Sequence, residues 1–139
     1  MKKILATAAV ILLPTMAVAE TFDEAFEMNR AMYGKNHSFA WEGKQYNTLH
    51  EEEVEASVEP TQANAEALIA KAKAKNEEAA KVGFEWKLTQ DIIKSAEAAA
   101  AEGNFQKAMD LAAQAKYHAR MGLRQHDDAE KNWHLSQPQ

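Results

Sequence analysis

The chain has no cysteine. Disulfides, thiol nucleophiles, Cys-His zinc sites and the Cys-x-x-Cys-His attachment of c-type haem are therefore excluded, and in an oxidising compartment packing alone must hold the fold. Proline and glycine are scarce, at 3 and 5 of 139 residues. The glycines fall where helices or turns would stop, apart from Gly122, and none belongs to a phosphate-cradling loop. Positive charge is in deficit, 16 Lys+Arg against 21 Asp+Glu. That balance disfavours nucleic acid and anionic lipid as partners, because both demand clustered cations. A long apolar run occurs once, near the start.

That run lies within MKKILATAAVILLPTMAVA, which has the pattern of a secretory signal peptide. Lys2 and Lys3 form the charged start, Ile4 to Leu13 the apolar stretch, and Ala17-Val18-Ala19 the cleavage site. Pro14 and the shortness of the run argue against a spanning helix, which needs about 20 apolar residues. The expectation is export to the periplasm, cleavage after Ala19 and no membrane attachment thereafter.

From residue 20 to residue 50 the pattern predicts a helix followed by a β-hairpin. Thr21 with Glu24 three residues on is a capping-box pair. Phe22, Ala25, Phe26, Asn29, Met32 and Tyr33 share one side, and Gly34 stops the helix. In HSFAWEGKQYNT, apolar and polar residues alternate on both sides of Glu42-Gly43. A two-residue turn there pairs Trp41 with Lys44 and Phe39 with Tyr46, all on one face. That face is either covered by the preceding helix or open to a partner. Residues 51–60, with three consecutive glutamates and Pro60, read as a solvated acidic linker or, alternatively, as a docking strip for a basic partner.

The remainder predicts a mostly α fold: a three-helix up-down-up bundle over residues 61–126 and a flexible tail over 127–139. Thr61 caps the first long helix, where Ala65, Leu68, Ala72, Ala79 and Val82 form a seam with Lys75 at one of its positions. Phe105, Ala108, Ala112, Ala115, Ala119 and Gly122 follow at spacings of 3, 4, 3, 4 and 3, a heptad seam of small side chains. Trp86, Ile93, Ala96 and Ala100, flanked by Leu88, Ile92 and Ala99, form the answering face of an antiparallel partner. Gly103 ends one helix and Asn104 caps the next. Such small side chains let two backbones approach at the low end of the usual ~8–10 Å separation.

No arrangement of residues points to catalysis, and the chain reads as a binding protein without a cofactor. His118 and His126 stand about 80° apart around one helix, a poor pair for one metal ion. His126, Asp127, Asp128 and His134 offer only a weak transition-metal set without fixed ligand spacing. Two candidate partner-binding faces stand out. One is the hairpin face of Phe39, Trp41, Lys44 and Tyr46. The other is a cationic strip, Lys116, Tyr117, Arg120 and Arg124, of the residue types that most often carry interface energy. An equal reading of the strip is basic residues suited to a helix C-terminal third.

Residues 65–125 resemble the accessory proteins that bind the SoxXA cytochrome in bacterial thiosulfate oxidation. The residues that carry the likeness are Val82-Gly83-Phe84-Glu85-Trp86, Ile92-Ile93-Lys94 with Ala96-Glu97, Gly103-Asn104-Phe105-Gln106-Lys107-Ala108, and Leu111-Ala112 with Ala115-Lys116. The resemblance implies a non-catalytic periplasmic helper whose partner is a c-type cytochrome complex. Gly-Asn-Phe with Ala108 and Ala115 is also similar to the first helix of a tetratricopeptide repeat, although a repeat array needs about three units. The alternative is a general envelope scaffold that binds a peptide and has no tie to sulfur. The segment from Phe39 to Thr48, with the helix before it, looks like a small module attached to assorted bacterial and phage proteins.

Overall fold

The computed structural model describes residues 21–136, so the expected signal peptide and its expected cleavage site lie outside the described residues. The chain is mostly helical with one small two-stranded antiparallel sheet. It divides into two compact units, the first ending at Thr48 and the second starting at Leu49.

The first unit is helix α1 (Phe22–Tyr33) with strands β1 (Ser38–Trp41) and β2 (Lys44–Asn47). Thr21 and Glu24 form the expected capping box, which satisfies two donors at the start of α1. Glu42 and Gly43 both have positive φ, 46° and 77°, as a tight hairpin turn of the mirror-image kind requires. The register pairs Phe39 with Tyr46 and Trp41 with Lys44. Thr48, fully buried, closes the unit: its hydroxyl donates to the Gly34 carbonyl at 2.8 Å and accepts from the His37 N–H at 2.9 Å. Arg30 donates to the Thr48 carbonyl from the last turn of α1. Met32 and Tyr33, expected on one side with Phe22, Ala25 and Phe26, do not share the burial of Ala25. They are 64% and 58% exposed, and the Tyr33 ring stacks on His37 at 4.3 Å.

The second unit holds helices α2 (Glu51–Glu55), α3 (Gln62–Lys81), α4 (Lys87–Ala101) and α5 (Phe105–Asn132), then a 3-10 turn, Trp133–Ser136. The three long helices pack on one another around one apolar core. Ala108, Ala112, Ala115, Ala119 and Gly122 are all buried, as the heptad spacing predicts. Met109 and Ala113 are buried as well. Both α3 and α4 lie against α5, so its apolar stripe is wider than a two-helix seam. Gly103 has φ 77°, and the amides of Gly103 and Asn104 donate back to the carbonyls of Ala100 and Ala99 at 3.0 and 2.9 Å. This closing motif satisfies carbonyls that the end of α4 would leave unpaired. The Asn104 side chain then accepts from the Lys107 amide, capping α5.

Five expectations are corrected. Residues 51–60 are not simply a solvated linker: glutamate is a good helix former, acids suit a helix N-terminus, and α2 forms there with Glu52 buried. The seam position given to Lys75 belongs to Asn76, whose amide donates to a Glu85 carboxylate oxygen at 2.6 Å. Leu88 is 58% exposed while Thr89 is fully buried. The face centred on Thr89, Ile92, Ile93, Ala96 and Ala99 leaves Leu88 roughly 80° off its middle. Trp86 precedes α4 instead of sitting within it. Asp127 to Asn132, assigned to the flexible tail, complete α5, since no glycine or proline interrupts them.

Candidate functional site

The cationic strip on α5 is where sequence and structure meet most informatively. Lys116, Tyr117 and Arg120 stand within one turn of each other, and α2 lies directly on them. The Arg120 guanidinium grips Glu52 with two nitrogens, Nε at 2.6 Å and Nη2 at 3.1 Å, and Glu51 comes within 3.4 Å of the same Nε. The Lys116 ammonium sits 2.9 Å from both oxygens of Glu55. Glu55 also reaches Lys71 of α3 at 3.5 Å. The imidazole of His50 lies on the Tyr117 ring at 4.5 Å, and Arg120 stands 5.3 Å from the centre of that ring. The strip is therefore occupied from within the chain. It is not the open cationic face that the residue types suggest.

Glu52 is 1% exposed. Burial pushes its carboxyl up, but the Arg120 hydrogen bonds, its own backbone amide and the charges of Arg120 and Lys116 outweigh that and hold it below the usual 4.5. Hydrogen bonding to Glu52 raises the Arg120 guanidinium in turn, against the opposing effect of burial. A buried carboxylate held by a two-pronged guanidinium is strongly bound in place and costly to leave alone. Such a pair positions an element; it offers no titratable acid or base near neutral pH. The glutamates of α2 were missed as partners because Glu52 and Arg120 are 68 residues apart. A readable signal did exist. Glu51 and Glu55 repeat the one-turn spacing of Lys116 and Arg120.

A second polar group lies further along α5. The Trp86 indole N–H donates to the Gln125 side-chain carbonyl at 3.0 Å, and its ring lies 5.3 Å from His118. Glu85 accepts from both Asn76 and Gln90 at 2.6 Å. His118 Nδ1, Thr89 Oγ1 and Asn76 Oδ1 are buried without a hydrogen-bond partner among the described residues. Burial holds the His118 imidazole below its usual 6.5.

The other predicted face, the hairpin, is covered within its own unit. Phe22 of α1 lies 5.4 Å from Trp41, 4.8 Å from Tyr46 and 6.1 Å from Phe39, and Phe39 is buried. Lys44 remains exposed at the edge of the hairpin. Arg124 is exposed one turn beyond Arg120. Among the described residues no three His, Asp or Glu side chains gather as a metal site, and no helix is long and apolar enough to cross a membrane. A shallow groove of about 590 Å³ runs between α3 and α4, walled by Ile69, Ala100 and Phe105 and bordered by the Lys73–Glu97 ion pair. Comparison with known protein families, curated proteins and solved structures finds no match to this chain.

Proposed function

We propose that this chain is an exported, non-catalytic accessory protein that works by holding another protein, a c-type cytochrome complex of the periplasm being the partner that its resemblance to SoxXA-binding proteins implies. In this reading α3, α4 and α5 form an up-down-up bundle whose α4–α5 hairpin is closed by alanine. Two sets of contacts favour it. Glu55 touches both Lys71 and Lys116, while Gly122 meets Ala79, so α3 and α5 run the same way. Lys73 pairs with Glu97 and Asn76 with Glu85, so α4 runs opposite.

The observation that carries the binding role is the outward side of α1. Met28 and Met32 stand one turn apart at 52% and 64% exposure, with Tyr33 beside them at 58%. Large flexible apolar side chains left at the surface suit a protein contact, and methionine adapts to irregular partners. The test is retention of periplasmic proteins on the immobilised mature chain. A haem protein in the eluate, lost with Met28→Glu plus Met32→Glu, is the expected result. Retention of a non-haem protein would move the reading to the general envelope scaffold. Turnover of a small molecule by the purified chain would overturn the non-catalytic role.

A further inference from the structure

We infer that α2 is an internal acidic ligand, and that the Lys116–Tyr117–Arg120 face beneath it is a binding site for an acidic peptide segment of another protein, closed in the resting chain. The inference rests on the protein-binding reading above and assigns a regulated face to it.

Three observations carry it. The first is how α2 is held. Its five residues cannot maintain a helix alone. Its attachment is mostly charge: three carboxylates reach α5, while Val54 within it and Val58 just after are 52% and 48% exposed. Ala56, just past its end, is the apolar residue of this segment that enters the core. An element held by ion pairs and little apolar burial belongs to the low-stability end of a structure.

The second observation is the receptor left behind. From Leu111 to Arg124, α5 carries Lys116, Arg120 and Arg124 and no acidic residue, in a chain whose acids outnumber its bases. With α2 lifted, Lys116 and Arg120 stand one turn apart with Tyr117 between them, an ammonium, a forked guanidinium and an aromatic platform. That set matches carboxylates on one side of a short helix.

The third is that α2 already shows the bound geometry. Glu52 receives both prongs of Arg120, Glu55 is gripped by Lys116 through both oxygens, and His50 covers the Tyr117 ring. A competitor therefore needs carboxylates about one helical turn apart and a planar group ahead of them. Duplex DNA or an anionic membrane satisfies the charge but not that short helical spacing.

The test uses a fluorescent peptide with the sequence of residues 49–58, added to the mature chain at low salt. In the variant Glu51→Gln, Glu52→Gln, Glu55→Gln, the peptide should bind at least about tenfold more tightly than in wild type, because a closed cover lowers apparent affinity by the fraction of chains open. No gain in a variant with unchanged helical circular dichroism overturns the proposal. So does equal binding of a charge-matched oligonucleotide, which would show simple cation attraction. If the variant loses helix, hydrogen exchange of the unaltered chain decides. Amides of Glu51 to Ala56 should exchange at least about tenfold faster between about 0.01 M and about 1 M salt, with Ala108 to Ala119 still protected. Unchanged exchange overturns the proposal. Haem-protein retention together with peptide failure removes the cover alone; peptide binding without haem-protein retention removes the cytochrome reading alone.

Discussion

At the scale of single residues, the Glu52–Arg120 pair sets the behaviour of everything around it. A carboxylate 1% exposed has given up its water and depends chiefly on one guanidinium for compensation, its own backbone amide and the Lys116 charge adding less. Arg120→Ala therefore leaves an unpaired charge, at a cost of about 3 kcal/mol or more if Glu52 stays in place. Since α2 buries little else, the cheaper outcome is for it to lift away and rehydrate Glu52. Hydrogen exchange at Glu51 to Ala56 should then rise by about a hundredfold, with only a small change in the global unfolding midpoint. A large global loss with α2 still protected would contradict this account. From the sequence alone Arg120 is legible as an interface residue, because tyrosine and arginine on one face suit a contact, though bases near a helix C-terminus read equally well as a match to its dipole. That its partner is internal depends on a contact 68 residues away, which no local spacing encodes.

Among the elements, the fit of α5 to its neighbours is the most demanding feature. Gly122 lies in the helical seam where a Cβ would come closer than 3.0 Å to the carbonyl oxygen of Phe84. That oxygen belongs to backbone and cannot swing aside. Gly122→Ala should therefore destabilise by about 1–3 kcal/mol despite alanine's better helix propensity, read as a lower urea midpoint at unchanged slope. A midpoint equal to or above wild type would mean that the 82–86 segment yields freely. The seam itself was legible because alanines spaced 3 and 4 apart can share only one side of a helix. The exact phase of α4 was not. Leu88 outweighs Thr89 in hydrophobicity, yet Thr89 falls on the packed side and Leu88 at its margin. Geometry overrides propensity where a helix begins, because the first turn takes its direction from the preceding segment and its packing.

For the whole molecule, acid should unfold the protein in two stages. The buried imidazole of His118 is held below 6.5, so the unfolded chain binds that proton more readily. Stability from this group is complete above 6.5 and is lost as pH falls through its folded value. Glu52 is likewise held below 4.5, so its contribution is present above 4.5 and disappears as pH falls further. Thermal unfolding should show a midpoint steady above 6.5 and falling in both ranges, and His118→Leu should flatten the first. A first stage unaltered in that variant would place its origin in another group.

Periodicity and turn chemistry settle the parts of this protein whose causes are local. The cap at Thr21, the Glu42-Gly43 turn, the Gly103-Asn104 corner and the alanine face of α5 each follow from residues within a few positions of one another, where backbone geometry leaves few choices. Which charges leave water was determined by packing between distant segments. Glu52 and Arg120 are ordinary solvated residues until α2 and α5 meet; then neither can rehydrate without the other being exposed, and a surface that reads as open becomes a surface already filled.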